Sequence, residues 1–310
     1  MNSDAVSGRT VTTHDGLRLF VRCHGRWNDT DGNASARPPV LCLPGLTRTG
    51  ADFDVLAQTL ATDPLRPRRV AALDYRGRGR SDYDSNPANY SLPIEAADVL
   101  TVMAALDMAP AVLIGTSRGG LIALVLAMTR PEVIAGVVFN DIGPVVDMPG
   151  LMRIKSYVGK MGEPRDFGAA AGLLRSLFAD QFPKLTDADW LVAAHRGFRE
   201  ENGRLVPTYD PALAHTLDDL DPAKPPPSLW DGFDALADKP LMTIRGANSD
   251  ILSPATLAEM QARRPDLDNL IVPDQGHPPL MVEPDVIGRI AAFVARCDEA
   301  ISNDRRQSVG

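Results

Sequence analysis

Short, almost continuous runs of apolar residues recur along the first half of the chain, separated by stretches whose apolar residues follow a helical spacing. A short apolar run of this kind indicates a strand that is covered on both faces, and its alternation with helices is typical of parallel strands joined by crossover helices. The predicted strands lie at 17–23, 39–43, 70–74, 111–115 and 133–140, and the predicted helices at 51–62, 94–108 and 119–129.

The pattern changes in segment 144–229, which has helical spacing interrupted by Pro and Gly but no convincing strand. Strand-like sequence returns at 241–245 and 270–272, and a last helix is predicted at 284–297. We therefore predict an α/β fold with a doubly wound, mostly parallel sheet. Helices in the segment are predicted at 152–161, 167–182, 187–199 and 209–220. The predicted domains are a core of residues 1–143 and 230–310 and a helical insertion of residues 144–229.

Composition and charge narrow the possible functions. Of the 310 residues, 44% are apolar and 23% are charged, which is enough for a sizeable buried core and rules against a disordered tail. The 32 basic and 40 acidic side chains give a net charge of -8, and no basic stretch stands apart from this balance. Nucleic acid is therefore not an expected partner.

The cysteines and the apolar runs indicate a compartment. Cys23, Cys42 and Cys297 are odd in number and far apart, with neither a disulfide framework nor metal-ligand spacing, which favours a reducing environment. The N-terminal segment has no basic-then-apolar signal pattern, and no apolar run approaches the roughly 18 residues of a membrane span. We expect a soluble, cytoplasmic protein without a membrane partner; the sequence does not indicate an oligomeric state.

The strongest local signal is the run Gly-Thr-Ser-Arg-Gly at 115–119, directly after one predicted strand and directly before a predicted helix. This is the setting of a nucleophile elbow, in which a serine occupies a strained turn and the flanking glycines avoid collisions with neighbouring backbone. The alternative interpretation is a tight Gly-rich turn with an idle serine. The setting predicts Ser117 as a nucleophile.

A serine hydroxyl needs a base within hydrogen-bonding distance and a third group that orients the base. Of the five histidines, only His277 lies in a Gly-His-Pro-Pro loop between a late predicted strand and the last predicted helix. Doubly wound sheets place their sites in such loops. We therefore predict His277 as the base, against the alternative of an ordinary surface or core histidine.

Two carboxylates could orient His277. Asp250 follows the predicted strand 241–245 and gives the chain order serine, aspartate, histidine that accompanies an elbow of this type. Asp141 ends the predicted strand after the elbow, and its loop also opens at the carboxyl edge of the sheet. Asp250 is the preferred acid and Asp141 the alternative. Asp250 could instead be an ordinary helix N-cap or loop residue, but Ser253, which precedes a proline, is the better N-cap.

Acyl transfer also needs N–H donors aimed at the tetrahedral oxyanion, each lowering the barrier by about 3 kcal/mol. The backbone N–H of Arg118, next to the serine, is one predicted donor. The second is the backbone N–H of Leu46, in the loop after the predicted strand 39–43, where Pro44 and Gly45 let the chain turn. A plain β-to-α turn is the alternative interpretation of this loop.

Two further groups of residues could in principle bind a phosphate or a metal, but neither has the spacing of a known ligand-binding motif. The alternating Arg and Gly residues of segment 74–82 lack the spacing of phosphate and dinucleotide loops, so a structural turn is the preferred interpretation. His195 and His215, in the insertion, lack metal-ligand spacing. Neither a metal nor an organic cofactor is predicted.

In this order the motifs resemble those of the α/β-hydrolase superfamily, specifically its small capped members, over nearly the whole chain. The motifs are DGLRLFVR, LPGLTRTGADF, DYRGRGRSD, GTSRGG, RGANSDILSP and GHPPLMVEP. The resemblance implies an eight-stranded sheet and a helical cap over the pocket at 144–229. It also implies a nucleophile at Ser117, a base at His277, an acid at Asp250 and oxyanion donors at Leu46 and Arg118.

Three residues qualify the resemblance. Pro44 stands where many relatives have His before the glycine, which removes a side-chain contact but leaves the backbone N–H. Arg118 replaces the usual uncharged residue, and its cation could favour carboxylate-bearing substrates or could pair with a nearby acid. Ser117, in place of an aspartate, argues against the dehalogenase and epoxide hydrolase branches, which need a carboxylate nucleophile.

We predict a serine hydrolase that cleaves a small carboxylic ester or lactone through an acyl-enzyme. Hydrolysis of a carbon–carbon bond is an alternative activity on the same residues. The alternative from another class is a non-catalytic receptor for a small ligand on the same fold, because fold alone does not supply a function. In each case the expected partner is a small molecule.

Overall fold

The computed structural model of the chain describes residues 7–27 and 37–307. Within these ranges eight strands form one sheet and two further strands form a hairpin. The strands are β1 (Ser7–Thr12), β2 (Arg18–His24), β3 (Val40–Leu43), β4 (Val70–Leu73), β5 (Ala111–Thr116), β6 (Ile134–Asn140), β7 (Phe198–Glu201), β8 (Arg204–Pro207), β9 (Leu241–Gly246) and β10 (Asp268–Val272).

The α-helices connect the strands. They are α1 (Asp54–Ala61), α2 (Leu92–Ala105), α3 (Arg118–Thr129), α4 (Met148–Tyr157), α5 (Phe167–Phe178), α6 (Asp187–Gly197), α7 (Trp230–Asp234), α8 (Pro254–Arg263) and α9 (Pro284–Gln307). The last helix is ten residues longer than predicted, since its final turns are polar and lack the apolar periodicity that marks its start. No helix of the described ranges is both long and apolar enough to span a bilayer.

The large sheet has the order β1-β2-β4-β3-β5-β6-β9-β10. Only β2 pairs antiparallel with its neighbours β1 and β4, and the remaining pairs are parallel. The strands β3, β4, β5, β6 and β9 are buried along their whole length, as expected for parallel strands with helices on both faces. The predicted doubly wound, mostly parallel eight-stranded sheet is confirmed.

Each face of the sheet packs against helices through its own layer of buried apolar side chains. Side chains alternate along a strand, so Leu41 and Leu43 of β3 join the layer under α2 and α3. Val40 and Cys42 join the opposite layer, under α1 and α9. The carboxyl ends of the parallel strands therefore meet at one edge, and the loops that carry the predicted site residues leave from this edge.

The insertion between β6 and β9 contains α4, α5 and α6 but is not all-helical. The prediction that it lacks strands is wrong, because β7 and β8 form an antiparallel hairpin. Its turn is Asn202-Gly203, both at positive φ, and its strands carry charged residues that hide the apolar alternation. The helix predicted at 209–220 is a 3-10 helix, Pro211–Leu217. A separate apolar cluster of the insertion includes Ala170, Leu174, Trp190, Ala194, Phe198 and Leu205.

Candidate active site

Ser117 lies at the sharp bend between β5 and α3. Its φ is +50°, a conformation that is costly for a residue with a side chain. The neighbouring glycines are required sterically, because a Cβ on Gly115 would lie 2.5 Å from the amide nitrogen of Gly120 and a Cβ on Gly119 would strike the carbonyl of Leu43. The Ser117 amide donates to the carbonyl of Asn140 at 3.0 Å, which ties the bend to β6.

The structure brings Ser117 and His277 together. His277 Nε2 and Ser117 Oγ are 2.9 Å apart, and the other ring nitrogen, Nδ1, lies 2.8 Å from Asp141 Oδ2. His277 is only 7% exposed, and Asp141 is fully buried. Serine, histidine and carboxylate therefore form one line of hydrogen bonds at the edge of the sheet.

Asp141 is held by neutral donors from the last residue of β9 and from the loop that follows it. Gly246 N–H donates to Oδ1 at 2.9 Å, and the Ser249 hydroxyl donates to Oδ2 at 2.6 Å. The Asp141 amide in turn donates to the carbonyl of Ile244 at 2.7 Å. A carboxylate that accepts several hydrogen bonds in a buried site is stabilised as the anion and is fixed in orientation.

The structure does not bring Asp250, the acid preferred from the sequence, into contact with His277; the alternative acid, Asp141, occupies that position. Both oxygens of Asp250 are bound by Arg153 of α4, at 2.6 and 2.8 Å, and its described hydrogen bonds do not include His277. Burial alone would raise the pKa of Asp250, but the Arg153 guanidinium holds the pKa below its ordinary value, with smaller contributions from a hydrogen bond of Gln181 and from His277. Asp250 thus lies near the imidazole, but its carboxylate binds Arg153.

Strand register explains why Asp141 takes this place. In the parallel pair β5–β6, Thr116 lies beside Asn140, so the next residues, Ser117 and Asp141, leave the sheet side by side. The register of a strand pair cannot be read from the two segments separately. The chain order serine, aspartate, histidine holds for either acid, so it could not discriminate between them.

The predicted oxyanion loop lies against the nucleophile. A Cβ on Gly45 would be 3.9 Å from Ser117 Cβ, which shows how closely the backbone of this loop approaches the serine. The Leu46 carbonyl accepts a 2.8 Å hydrogen bond from Arg78 Nε, and the Arg48 amide donates to the carbonyl of Gly45 at 3.2 Å. The loop is therefore fixed by contacts on both sides of Leu46.

A buried carboxylate, Glu95 of α2, links both predicted oxyanion residues. It accepts from Arg118 Nε at 2.5 Å and from Arg78 Nη1 at 2.6 Å, and Arg78 is the residue that holds Leu46. Burial opposes the charge of Glu95, yet the two arginines hold its pKa below the ordinary value. Arg118 also donates to the carbonyl of Tyr90 at 2.8 Å. Of the two alternatives for Arg118, the geometry matches pairing with a nearby acid.

The Arg- and Gly-rich segment 74–82 serves the same scaffold. Asp74 accepts from the amides of Gly50 and Arg80 at 2.7 and 3.0 Å. Arg76, fully buried, binds Asp98 with two hydrogen bonds of 2.7 Å. The segment is a structural turn in which Arg76 and Arg78 are paired with buried carboxylates.

The insertion histidines do not form a metal site. His195 stacks on Phe167 with ring centroids 3.9 Å apart, and His215 Nδ1 lies 2.8 Å from Asp218. Across residues 7–27 and 37–307, no three His, Cys, Asp or Glu side chains are grouped so as to hold a metal ion.

Comparison with known proteins agrees with this architecture. The family model described as alpha/beta hydrolase family matches residues 40–289. The 3-hydroxybutyrate-oligomer hydrolase of Cupriavidus necator is 34% identical over 282 residues, which cover 86% of this chain and 90% of that protein. The 2-(acetamidomethylene)succinate hydrolase of Mesorhizobium japonicum is 27% identical over 80% of this chain and 84% of its own.

Solved structures give the same result. The crystal structure of an alpha/beta hydrolase from Novosphingobium aromaticivorans superposes with a TM-score of 0.83 at 38% identity, covering 94% of this chain and 98% of that one. A putative hydrolase from Rickettsia typhi shares the fold, with a TM-score of 0.81 at 22% identity and coverage of 94% and 99%. The match to the family model spans most of the chain, and on this ground the chain belongs to the alpha/beta hydrolase family.

Proposed function

We propose that the chain is a serine hydrolase that cleaves a small carboxylic ester or lactone. The observation that carries the proposal is the line of hydrogen bonds from Ser117 Oγ through both ring nitrogens of His277 to Asp141, with distances of 2.9 and 2.8 Å. This is the arrangement that makes a serine hydroxyl nucleophilic, because the imidazole accepts its proton during attack and the carboxylate stabilises the imidazolium.

In the proposed reaction, Ser117 Oγ attacks the ester carbonyl as its proton passes to His277 Nε2. The backbone N–H groups of Leu46 and Arg118 stabilise the negative oxygen of the tetrahedral intermediate. His277 then protonates the leaving alcohol, which leaves an acyl-enzyme on Ser117. A water molecule deprotonated by the same histidine releases the acid and restores the serine. Asp141 accepts a hydrogen bond from His277 Nδ1 throughout and fixes the tautomer of His277.

The relatives support an acyl-transfer reaction of this kind. The chain is 34% identical to a protein named 3-hydroxybutyrate-oligomer hydrolase, and oligomers of a hydroxy acid are joined by ester bonds. We therefore propose an ester formed from a small hydroxy acid as the substrate.

We further propose that the insertion 144–229 is a cap that shapes the pocket. The supporting contact is the ion pair between Arg153 of α4 and Asp250, which joins the insertion to a loop of the core beside the site. The cysteines are buried and unpaired, which agrees with a reducing compartment, so we place the activity in the cytoplasm.

The proposal is tested by a panel of p-nitrophenyl esters and aryl lactones, run in parallel with fluorophosphonate labelling. The wild-type protein should give a burst of p-nitrophenol and a label on Ser117, and Ser117→Ala should lose both, with kcat falling about 10⁴-fold or more. The matched control is Ser176→Ala, an exposed serine on α5, which should behave as wild type. Absence of label from wild-type Ser117, or an undiminished burst in Ser117→Ala, would refute the proposal.

A further inference from the structure

Helix α4 of the insertion is fastened to the loop that follows β9. The amide of Gly150 donates to the carbonyl of Asp250 at 3.2 Å, and the amide of Asp147 donates to the carbonyl of Ile251 at 3.0 Å. The fit is close, because a Cβ on Gly150 would lie 2.5 Å from the Asp250 carbonyl oxygen. The next turn of the helix carries Arg153, whose position beside the site is therefore fixed by backbone contacts as well as by its ion pair.

Arg153 keeps one unused donor. Its Nε and Nη2 bind the two oxygens of Asp250, whereas Nη1 is buried and has no hydrogen-bond partner among the described residues. A buried donor left without an acceptor is unfavourable, and more so when the group is charged. Such an atom is retained at low cost when a ligand supplies the missing acceptor.

A second arginine lies beside the loop that packs against the nucleophile. Arg48 follows the predicted oxyanion loop. A Cβ placed on Gly45 would be 3.5 Å from Arg48 Cγ on one side and 3.9 Å from Ser117 Cβ on the other. Arg48 Nε and Nη2 donate to the carboxylate of Asp52 at 2.7 and 2.6 Å. Its Nη1 extends to the end of α6, 3.5 Å from where a Cβ on Gly197 would be.

Tyr157, one helical turn beyond Arg153, has its hydroxyl beside the guanidinium of that arginine, and the charge of Arg48 also acts on it. Burial raises the pKa of the Tyr157 phenol, and the charges of Arg153 and Arg48 oppose that rise only in part. The phenol is therefore a neutral donor near neutral pH. Its ring is held against Phe178 in an edge-on contact, with centroids 5.2 Å apart.

We propose that Arg153, Arg48 and Tyr157 form a binding site for a second carboxyl group of the substrate, separate from the ester that Ser117 attacks. The three side chains offer N–H and O–H donors, while the oxygens of Asp250 and Asp52 are already occupied by their own arginines. A group that only accepts hydrogen bonds complements such a set, and a carboxylate is the acceptor that guanidinium groups bind most strongly.

The inference rests on the proposed function and names its substrate class, an ester that carries a free carboxylate. The contrasting possibility is that Arg153 merely ties the insertion to the core. A pair of substrates of nearly equal size separates the two: the p-nitrophenyl ester of glutaric acid with its second carboxyl free, and the same compound with that carboxyl methylated. The wild-type protein should favour the free acid in kcat/KM by about ten-fold or more.

Arg153→Met should reduce this preference for the free acid over the methyl ester by about 10- to 100-fold, as expected for loss of a charge-assisted hydrogen bond. Because Arg153→Met leaves Asp250 without its partner, the double variant Arg153→Met/Asp250→Asn is made as well, and it should show the same loss. Tyr157→Phe should reduce the preference by about three- to ten-fold. Arg204→Met is the matched control, since Arg204 is an exposed arginine of the insertion paired with the exposed Glu163.

An equal fall for both esters in Arg153→Met, or a wild-type protein that does not distinguish them, would overturn the carboxylate site. Calorimetric binding of methyl hydrogen glutarate, with dimethyl glutarate for comparison, measures the site without turnover. The monoacid should bind the wild type and should bind Arg153→Met at least ten-fold more weakly; equal binding would again overturn the inference. Failure of the proposed function would appear separately, as an unlabelled Ser117 and no turnover of either ester.

Discussion

Two aspartates at the same edge of the sheet, Asp141 and Asp250, have opposite environments. Asp141 is fully buried, accepts from Gly246 and Ser249, and lies 2.8 Å from His277. Asp250 has 28% of its side chain exposed and has both oxygens bound by the Arg153 guanidinium. A carboxylate held by neutral donors keeps its charge available to an imidazolium, whereas one neutralised by a cation does not. Proximity to the histidine is therefore not sufficient to identify the acid.

The largest effect is expected for Asp141→Asn. The amide preserves the shape of the side chain but does not stabilise the imidazolium or hold the reactive tautomer, so kcat should fall about 10³- to 10⁴-fold. The measurement is steady-state ester hydrolysis, with circular dichroism to verify folding. Asp187→Asn, which alters an exposed carboxylate at the start of α6, is the control. A loss below ten-fold would remove Asp141 from the role assigned to it.

Ser249→Ala is expected to have an intermediate effect. It removes the hydroxyl that donates to Asp141 Oδ2 at 2.6 Å and leaves the other contacts of that carboxylate in place. The loss of one hydrogen bond to a charged group should lower kcat by about ten-fold, with a smaller change in KM. If kcat is unaffected while the protein is destabilised, Ser249 supports only the loop and not the acid.

Asp250→Asn should lower kcat less than Asp141→Asn or Ser249→Ala does. We expect kcat/KM to fall by about three- to ten-fold, mainly through KM, because Arg153 loses the partner that positions it. Comparison with Asp141→Asn under the same conditions sharpens the distinction between the two carboxylates. A fall in kcat as deep as that of Asp141→Asn would make Asp250 an equal participant.

The smallest effect concerns stability and pH. Arg153 holds the pKa of Asp250 below the ordinary value of an aspartate, so the folded state binds this proton less readily than the unfolded chain. The ion pair therefore stabilises the fold at pH values above about 4 and loses that contribution as pH falls through the lowered pKa. The difference in Tm between wild type and Asp250→Asn should shrink from pH 6 to pH 3.

The matched variant for that measurement is Arg153→Met, which removes the other member of the pair. It should lose the same pH-dependent part of the stability, so its Tm difference from wild type should also shrink towards pH 3. A difference that stays constant over this range would show that the pair does not contribute as described.

The scaffold could be predicted from the sequence, whereas the identity of the acid beside His277 could not. The buried strands could be predicted because they are continuous apolar runs, and the bend at Ser117 because glycines flank it. The choice between Asp141 and Asp250 depended on the β5–β6 register and on Arg153, which lies 97 residues from Asp250 along the chain. Neither fact is encoded in a local motif.

The same limit applies to the insertion. The β7–β8 hairpin was missed because Phe198–Glu201 is mostly charged, although Asn202-Gly203 is a turn signal that could have found it. Arg48 and Tyr157 lie far apart in the sequence. Only the folded chain brings the charge of Arg48 close enough to act on the Tyr157 phenol.

The central claim, that Asp141 rather than Asp250 orients His277 towards Ser117, is tested most directly by the rate at which a fluorophosphonate labels Ser117. Labelling reports activation of the nucleophile independently of substrate preference and product release. The rate should fall at least 100-fold in Asp141→Asn and less than ten-fold in Asp250→Asn. The reverse order, with Asp250→Asn slower than Asp141→Asn, would contradict the account.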